Sequence, residues 1–196
     1  MNAPAPIVLD LCGGTGAWSA PYRAAGYDVR VIDPAAGTGD VRAYEPPPGV
    51  VGVLAAPPCT AFAVSGAQYW GAKDRDGRTT EALAVVDACL RIVDECGPGL
   101  AWWALENPVG RLRALRVAAL GPPALIFDPC DYGDPYTKRT LLWGRFAMPA
   151  RSPVEPVRVS SQGSWVQRLG GSSERTKRLR SITPPGFARA FFEANP

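Results

Sequence analysis

Short apolar segments alternate with segments of helical character, and this alternation constrains the fold of the chain more than any other feature. Residues 7–11 have the length and composition of a short buried strand, and residues 28–32 and 50–55 are predicted to form two further strands. Residues 17–26 read as a helix that ends on glycine, and residues 80–95 as an amphipathic helix. Strands that alternate with helices predict an α/β domain with a mostly parallel central sheet.

The rest of the chain is less regular. Further short strands are expected at residues 100–105, 125–127 and 140–143. Residues 60–80, rich in glycine and charge, are expected to form a mobile loop, and Thr183 to cap a last helix. We therefore predict three regions: a core at 1–146, a basic segment at 147–179 and a C-terminal helical region at 180–196 that returns to the core.

Histidine and cysteine usage excludes several kinds of site. The 196 residues contain no histidine, so catalytic triads and histidine-bound metals are excluded. The five cysteines are odd in number and have no C-x-x-C spacing, which argues against a disulfide framework and a zinc site. We expect no metal, and acid–base chemistry must come from carboxylate, Cys, Tyr, Lys or water.

Charge is distributed unevenly along the chain. Residues 1–137 carry 10 Lys and Arg against 15 Asp and Glu, whereas residues 138–196 carry 11 against 3. The basic second part suggests a polyanionic partner, although a solvated basic surface explains the charge equally well. The sequence has no 18-residue apolar run and no charged-then-apolar leader, so we expect a cytoplasmic protein, in a bacterial or phage-infected cell, with no membrane partner.

Reactive and polar residues follow the predicted strands, where ligands bind in open α/β sheets. These residues are Gly14 and Gly16, Asp33, Asp40, Cys59 and Glu106. The run Asp10-Leu11-Cys12-Gly13-Gly14-Thr15-Gly16 would let a ligand approach the backbone closely, or it is a plain tight turn. It lacks both the G-x-G-x-x-G pattern and a Walker lysine, so NAD and ATP are poor candidates.

The two predicted carboxylate ligands have competing interpretations. Asp33 stands about 20 residues after the glycine-rich turn, in the position expected to accept hydrogen bonds from ribose hydroxyls. Alternatively, it caps the turn before Pro34. Asp40 is a weaker candidate for an adenine amino group.

Pro57-Pro58-Cys59 presents a thiol at the end of a strand. A cysteine thiolate is strongly nucleophilic, whereas a buried structural cysteine is the commoner alternative. Glu106-Asn107-Pro108 closes the strand predicted at residues 100–105, so the Glu106 carboxyl is expected to be partly desolvated. It would then bind a ring nitrogen and an exocyclic amine of a heterocycle, or it binds backbone amides as a structural carboxylate.

Five ordered motifs resemble those of the DNA cytosine carbon-5 methyltransferases. They cover nearly the whole chain: Asp10–Gly16 with Ala17-Trp18-Ser19; Pro57–Gly66 with Gln68; Glu106-Asn107-Pro108; Tyr132-Gly133-Asp134-Pro135; and Arg180-Ser181-Ile182-Thr183-Pro184 with Ala188-Arg189. The resemblance implies a Rossmann-like fold that binds S-adenosylmethionine and acts on double-stranded DNA. The residues expected at the cofactor are Asp10, Cys12, Gly14, Gly16, Trp18, Asp33, Asp40 and Pro58.

The resemblance also implies a mechanism. Cys59 would add to carbon 6 of a flipped cytosine while Glu106 holds ring nitrogen 3 and the amino group, and the loop at residues 60–80 would close over the base. Carbon 5 would then take the methyl group, and water would remove its proton.

Three departures from the family pattern bear on these expectations. Cys12 replaces the phenylalanine of the first motif, so adenine stacking would come from Trp18 or elsewhere. The catalytic arginine corresponds to Lys138 or Arg139, and only one of two neighbours on a strand can face the substrate. The segment at 147–179 is short for target recognition, which implies relaxed specificity or a partner that supplies it. The same chemistry on RNA or a free cytidine nucleotide, and a non-catalytic binding protein, remain alternatives.

Overall fold

The computed structural model describes residues 4–161, 163–170 and 173–196. Its centre is a six-stranded sheet, and the strands in chain order are β1 Ile7–Leu11, β2 Asp28–Ile32, β3 Val50–Ala55, β4 Trp102–Pro108, β5 Leu125–Phe127 and β6 Thr140–Arg145. In space the order is β2-β1-β3-β4-β6-β5. The first four strands are parallel, and β6 runs antiparallel to β4 and β5. The prediction of a mostly parallel, Rossmann-like α/β fold is therefore confirmed.

The helices are α1 Ala20–Ala24, α2 Trp70–Arg75, α3 Arg78–Glu95, α4 Leu112–Leu115, α5 Val117–Leu120, α6 Glu174–Ser181 and α7 Pro185–Ala194. Two buried clusters lie against the sheet. In one, Val86, Cys89 and Ile92 of α3 belong to the same cluster as Leu9 and Val53. Since successive strand residues point to opposite faces, Val8 and Leu54 belong to the other cluster.

The second cluster is rich in aromatic rings. Trp18 lies 5.5 Å from the ring of Phe191, and Phe127 stacks on Phe187 with ring centroids 4.0 Å apart. The hydroxyl of Tyr22 also donates to the backbone carbonyl of Asn195 at 2.8 Å. These contacts join α1 and α7, and they bring the C-terminal helix back onto the sheet.

Several predicted boundaries were wrong. The segment at 60–80 is not simply a loop, because it holds a 3₁₀ helix, Val64–Tyr69, and α2. The expected helix at 17–26 is only the five residues of α1, and the basic segment contains most of α6. Strand β4 extends through Glu106-Asn107-Pro108, which had been placed after it. Pro184, and not Thr183, occupies the N-cap position of α7.

No helix among the described residues is both long enough and apolar enough to cross a membrane.

Candidate active site

The sheet brings the glycine-rich turn, the cysteine loop and Glu106 to its carboxyl edge. The order β2-β1-β3 places the switch point of the sheet between β1 and β3, where a crevice forms beyond the strand ends. The turn after β1 and the loop that carries Cys59 after β3 lie on the two sides of this crevice. Glu106 is near the end of the neighbouring strand, β4.

The glycine-rich turn is built over a buried carboxylate. Asp10 is fully buried; its Oδ2 accepts a hydrogen bond from Ser19 at 2.5 Å, and its Oδ1 has no hydrogen-bond partner among the described residues. A Cβ at Gly13 would collide with this carboxylate, and Gly14 and Gly16 have positive φ angles that favour glycine. Burial raises the pKa of Asp10 to about 6, and the bond from Ser19 opposes that shift.

Asp33 supports the same turn from β2. Its Oδ2 accepts from the backbone N–H of Gly14 at 2.9 Å, and its Oδ1 accepts from that of Ala35 at 2.8 Å. The capping interpretation of Asp33 is therefore observed, and the same carboxylate also orders the glycine-rich turn. Asp40 caps a short 3₁₀ helix and pairs with Arg42 at 2.6 Å, which lowers the pKa of Asp40.

Two of the residues that were expected to contact the cofactor point into the core instead. Cys12 has a positive φ of 55°, and its half-buried thiol packs against the core cluster that contains Cys89. A hydrogen bond with Cys89, together with burial, raises the pKa of the Cys12 thiol. Trp18 is only 3% exposed and packs on Phe187 and Phe191, so its ring has no free face on which an adenine can stack. Pro58 is exposed at the start of the cysteine loop.

Cys59 and Glu106 lie close enough to interact electrostatically. The Cys59 thiol is half-buried; burial and the nearby Glu106 carboxylate raise its pKa, and Lys138 and Arg180 lower it. Burial also raises the pKa of Glu106, and the opposing charge is again Lys138. Glu106 makes no hydrogen bond to any described residue. The alternative that Glu106 is a structural carboxylate bound to backbone amides is therefore not observed.

The structure places Lys138 and Arg139 in different surroundings. Lys138 lines the same cleft as Glu106, and its Nζ donates to the backbone carbonyl of Arg180 at 2.9 Å. Arg139 is directed to Asp128, with which it forms an ion pair at 2.8 Å. Lys138, and not Arg139, therefore lines the cleft beside Glu106.

Two arginines make contacts that the local sequence does not indicate. Arg111 donates to the carbonyl of Ala61 at 3.0 Å and pairs with Asp74 at 2.7 Å, so it holds the segment after Cys59 from both ends. Arg180, which belongs to the last of the five motifs, donates to Ser65 at 3.3 Å. No sequence signal pointed to Arg111, because its partners lie more than 30 residues away in the chain.

The cleft beside Glu106 is nearly closed. It encloses about 10 Å³, which is room for a single water molecule. The lining side chains are Trp18, Glu106, Phe127, Lys138, Thr140, Ser181, Thr183, Pro184 and Phe187. A planar base can enter only if part of this wall moves.

Among the described residues, no group of three or more Cys, Asp or Glu side chains is arranged to hold a metal ion.

Comparison with known proteins gives only distant likenesses. No protein-family model and no curated protein matches the sequence. The structure of the Entamoeba histolytica methyltransferase EhMeth has 11% identity and a TM-score of 0.45, over 87% of this chain and 61% of that one. A DhpI-SAM-HEP complex has 15% identity and a TM-score of 0.31, over 78% and 65%. The chain thus spans less than two thirds of the length of either structure.

Proposed function

We propose that this chain is a methyltransferase that moves a methyl group from S-adenosylmethionine to carbon 5 of cytosine in DNA. The observation that carries the proposal is the grouping of Cys59, Glu106 and Lys138 at the carboxyl edge of the sheet, beside the glycine-rich turn. A thiol nucleophile with a carboxyl acid and a cation close enough to shift its pKa is the set of groups that activation of a cytosine ring needs.

Glu106 and Cys59 have complementary roles in this chemistry. The raised pKa of Glu106 favours the protonated carboxyl, which donates to ring nitrogen 3 of the base, and its carbonyl oxygen accepts from the exocyclic amine. A hydrogen bond or a proton at nitrogen 3 withdraws electrons from the ring, and carbon 6 becomes electrophilic as a result. The Cys59 thiolate then forms a bond to carbon 6, and the electron pair of the 5,6 double bond becomes available at carbon 5.

Lys138 partly offsets the effect of burial on the Cys59 thiol. Its positive charge lowers the pKa of Cys59 and opposes the effect of the Glu106 carboxylate. Lys138 also lowers the pKa of Glu106, so one positive charge favours the ionised forms of both Cys59 and Glu106. Lys138 is held in place through its bond to the carbonyl of Arg180.

The glycine-rich turn fits S-adenosylmethionine. The unsatisfied Oδ1 of buried Asp10 suits the ammonium group of an amino acid, and Asp33 beside Gly14 suits ribose hydroxyls. When bound, this cofactor would supply an electrophilic methyl group to the electron pair at carbon 5, and S-adenosylhomocysteine would be the leaving group. After methylation, carbon 5 loses its proton to water, the 5,6 double bond forms again, and Cys59 leaves as the thiolate.

Entry of the base requires movement of the C-terminal wall of the cleft. Ser181 and Thr183 contribute to this wall, which is fastened by two exposed hydrogen bonds: Lys138 to the Arg180 carbonyl and Arg180 to Ser65. Exposed hydrogen bonds are exchanged for bonds to water at a net cost of about 1 kcal/mol each. These two bonds therefore offer little resistance to opening of the wall.

The test is covalent trapping on DNA that contains 5-fluorocytosine. Fluorine cannot leave carbon 5 as a proton does, so the enzyme stays attached to the methylated base. We expect an SDS-stable adduct that requires S-adenosylmethionine, is absent in Cys59→Ser, and forms at least 100-fold more slowly in Glu106→Gln.

Cys96→Ser is the matched control, because Cys96 is also a half-buried thiol but lies at the end of α3. This variant should form the adduct at the wild-type rate. If the wild-type protein binds S-adenosylmethionine and forms no adduct with DNA, the proposal is wrong for DNA; adducts with RNA or a cytidine nucleotide would then identify the substrate.

A further inference from the structure

The Cys59 turn, residues 59–63, contains two consecutive peptide groups that are hydrogen-bonded on both sides. The backbone N–H groups of Phe62 and Ala63 donate to the Cys59 carbonyl at 2.9 and 2.8 Å. On the opposite sides of the same peptide groups, the carbonyls of Ala61 and Phe62 accept from Arg111. The first accepts from the side-chain Nε–H and the second from the backbone N–H, both at 3.0 Å. Two parallel hydrogen-bonded paths therefore connect Arg111 with the Cys59 carbonyl.

The other end of the Arg111 guanidinium is fixed by α2 and α3. Its two terminal nitrogens donate to the two carboxylate oxygens of Asp74 at 2.8 and 2.7 Å, and one of them also donates to the Thr79 hydroxyl at 2.9 Å. Thr79 in turn donates to Asp74 at 2.6 Å. The guanidinium carbon lies 4.8 Å from the centre of the Trp70 ring. A planar cation with these partners has one orientation, and its Nε–H is aimed at one carbonyl.

The exposure of these groups separates geometry from stability. The Arg111 side chain is largely buried, but that of Asp74 is half exposed. Ion pairs with an exposed partner contribute little to the free energy of unfolding, because water and salt screen them. A bidentate pair of arginine and carboxylate still fixes the direction of the guanidinium. The contacts of Arg111 therefore determine the position of the Cys59 turn more than they determine total stability.

We propose that Arg111 is a positioning residue, which holds the Cys59 thiol beside Glu106 and Lys138 through the Cys59 turn. Arg111 does not line the cleft of Glu106 and Lys138, so it acts through the backbone and not on the reacting atoms. A misplacement of about 1 Å can slow a reaction roughly 100-fold, which makes such a position matter. The proposal rests on the proposed function only for the reaction that the position serves.

The test compares two rates at Cys59 in the full chain. One is alkylation by iodoacetamide, followed by peptide mass spectrometry, and the other is trapping on DNA that contains 5-fluorocytosine. Arg111→Lys keeps the positive charge but replaces the planar fork with a single ammonium group, which cannot hold Ala61 and Asp74 together.

Release of the Cys59 turn should change the pKa of the thiol. In the folded protein, burial and the Glu106 carboxylate raise this pKa, and Lys138 and Arg180 lower it, with a net rise. A released turn loses all of these influences, so the pKa falls toward its ordinary value.

We therefore expect the two rates to change in opposite directions in Arg111→Lys. Alkylation of Cys59 should become roughly threefold faster at neutral pH, because more of the thiol is ionised and accessible. Trapping should become roughly tenfold slower or more, because the thiolate is no longer held beside Glu106. Alkylation of Cys89 and Cys96 should keep its wild-type rate, whereas a general loss of folding would speed the alkylation of every thiol.

Asp74→Asn is a milder second variant, which decides the question if Arg111→Lys does not fold. It removes the ionic partner and leaves the bond from Arg111 to Ala61 in place. Its two rates should change in the same opposite directions, by smaller factors.

Arg116→Lys is the matched control. Arg116 also forms a two-point ion pair with a carboxylate of α3, that of Asp87, with both distances 2.7 Å, and it also donates to a backbone carbonyl, that of Leu115. These contacts do not involve the Cys59 turn, so both rates should stay at their wild-type values.

Three results would overturn the proposal: unchanged Cys59 alkylation in Arg111→Lys, slower trapping in that variant without any change in Cys59 alkylation, or equal effects of Arg116→Lys. Alkylation needs neither DNA nor cofactor. If the wild type formed no adduct but Arg111→Lys still changed the alkylation of Cys59, the proposed reaction would be refuted and the positioning role of Arg111 would stand.

Discussion

The side-chain amide of Asn107 donates to the carbonyl oxygen of Pro57 at 3.1 Å, and this buried hydrogen bond joins the strand of Glu106 to the loop of Cys59. Asn107→Ala would leave the Pro57 carbonyl without its partner. We expect a loss of about 1–3 kcal/mol in the free energy of unfolding. Adduct formation should also slow, because the loop is no longer held beside Glu106.

Urea unfolding and the rate of fluorocytosine trapping measure the two effects of Asn107→Ala separately. An unchanged free energy of unfolding would show that the bond to Pro57 contributes nothing. Loss of stability at an unchanged trapping rate would show that it does not position the loop.

Removal of the Lys138 charge should raise the pKa of Cys59, because Lys138 lowers that pKa in the folded protein. We expect Lys138→Met to shift the pH profile of Cys59 alkylation upward and to slow trapping by roughly tenfold, equivalent to about 1.4 kcal/mol of barrier. Peptide mass spectrometry after iodoacetamide treatment reports Cys59 separately from the other four thiols.

Arg139→Met is the control for Lys138→Met, since Arg139 pairs with Asp128 and does not line the cleft. Its alkylation profile should match that of the wild type. If both variants shifted the profile equally, a general loss of positive charge would explain the effect.

Gly110 has no room for a side chain. A Cβ there would collide with the carbonyl oxygen of Phe62, three residues after Cys59, which also accepts from the Arg111 N–H at 3.0 Å. Gly110→Ala should therefore displace the cysteine loop and cost about 1–3 kcal/mol of stability. Thermal unfolding and fluorocytosine trapping should both show the loss.

Gly99→Ala is the comparison for Gly110→Ala, because nothing lies within 4 Å of a Cβ at Gly99 and its φ is not positive. It should be neutral or slightly stabilising. Equal effects of the two substitutions would refute the steric argument.

Asp10 makes stability depend on pH. Its pKa is about 6 in the folded chain, against 3.8 when unperturbed, so between these values the folded state keeps a proton that the unfolded state has lost. The stability associated with this proton is present below about pH 4 and is lost as the pH rises through 6. Over that interval the wild type should lose up to about 3 kcal/mol relative to Asp10→Asn.

Urea titrations of cofactor-free protein at about pH 4 and about pH 7 measure this difference. The pKa of Asp40 is lowered by Arg42, so Asp40→Asn should give the opposite sign: the wild-type advantage is lost as the pH falls. A constant difference between wild type and Asp10→Asn would mean that Asp10 stays ionised.

The strands were the most predictable part of the fold. β1, β2, β3 and β5 were predicted with their observed bounds, because each is a short, mostly apolar run between residues that interrupt strands. The helicity of Val64–Tyr69 and α2 was missed, since their glycine-rich composition resembles a loop. That segment is ordered by Arg111, whose bonds to Ala61 and Asp74 span 50 and 37 residues.

By itself, the sequence determined the alternating architecture and the set of reactive groups at the strand ends, because periodicity and strand-end chemistry are local properties. The tertiary structure decided which of these groups meet. It turned Lys138 to Glu106 and Arg139 to Asp128, and it buried Trp18 under α7. It also brought Arg180 into contact with Ser65, 115 residues away in the chain. Such choices depend on packing between distant segments, which no local pattern encodes.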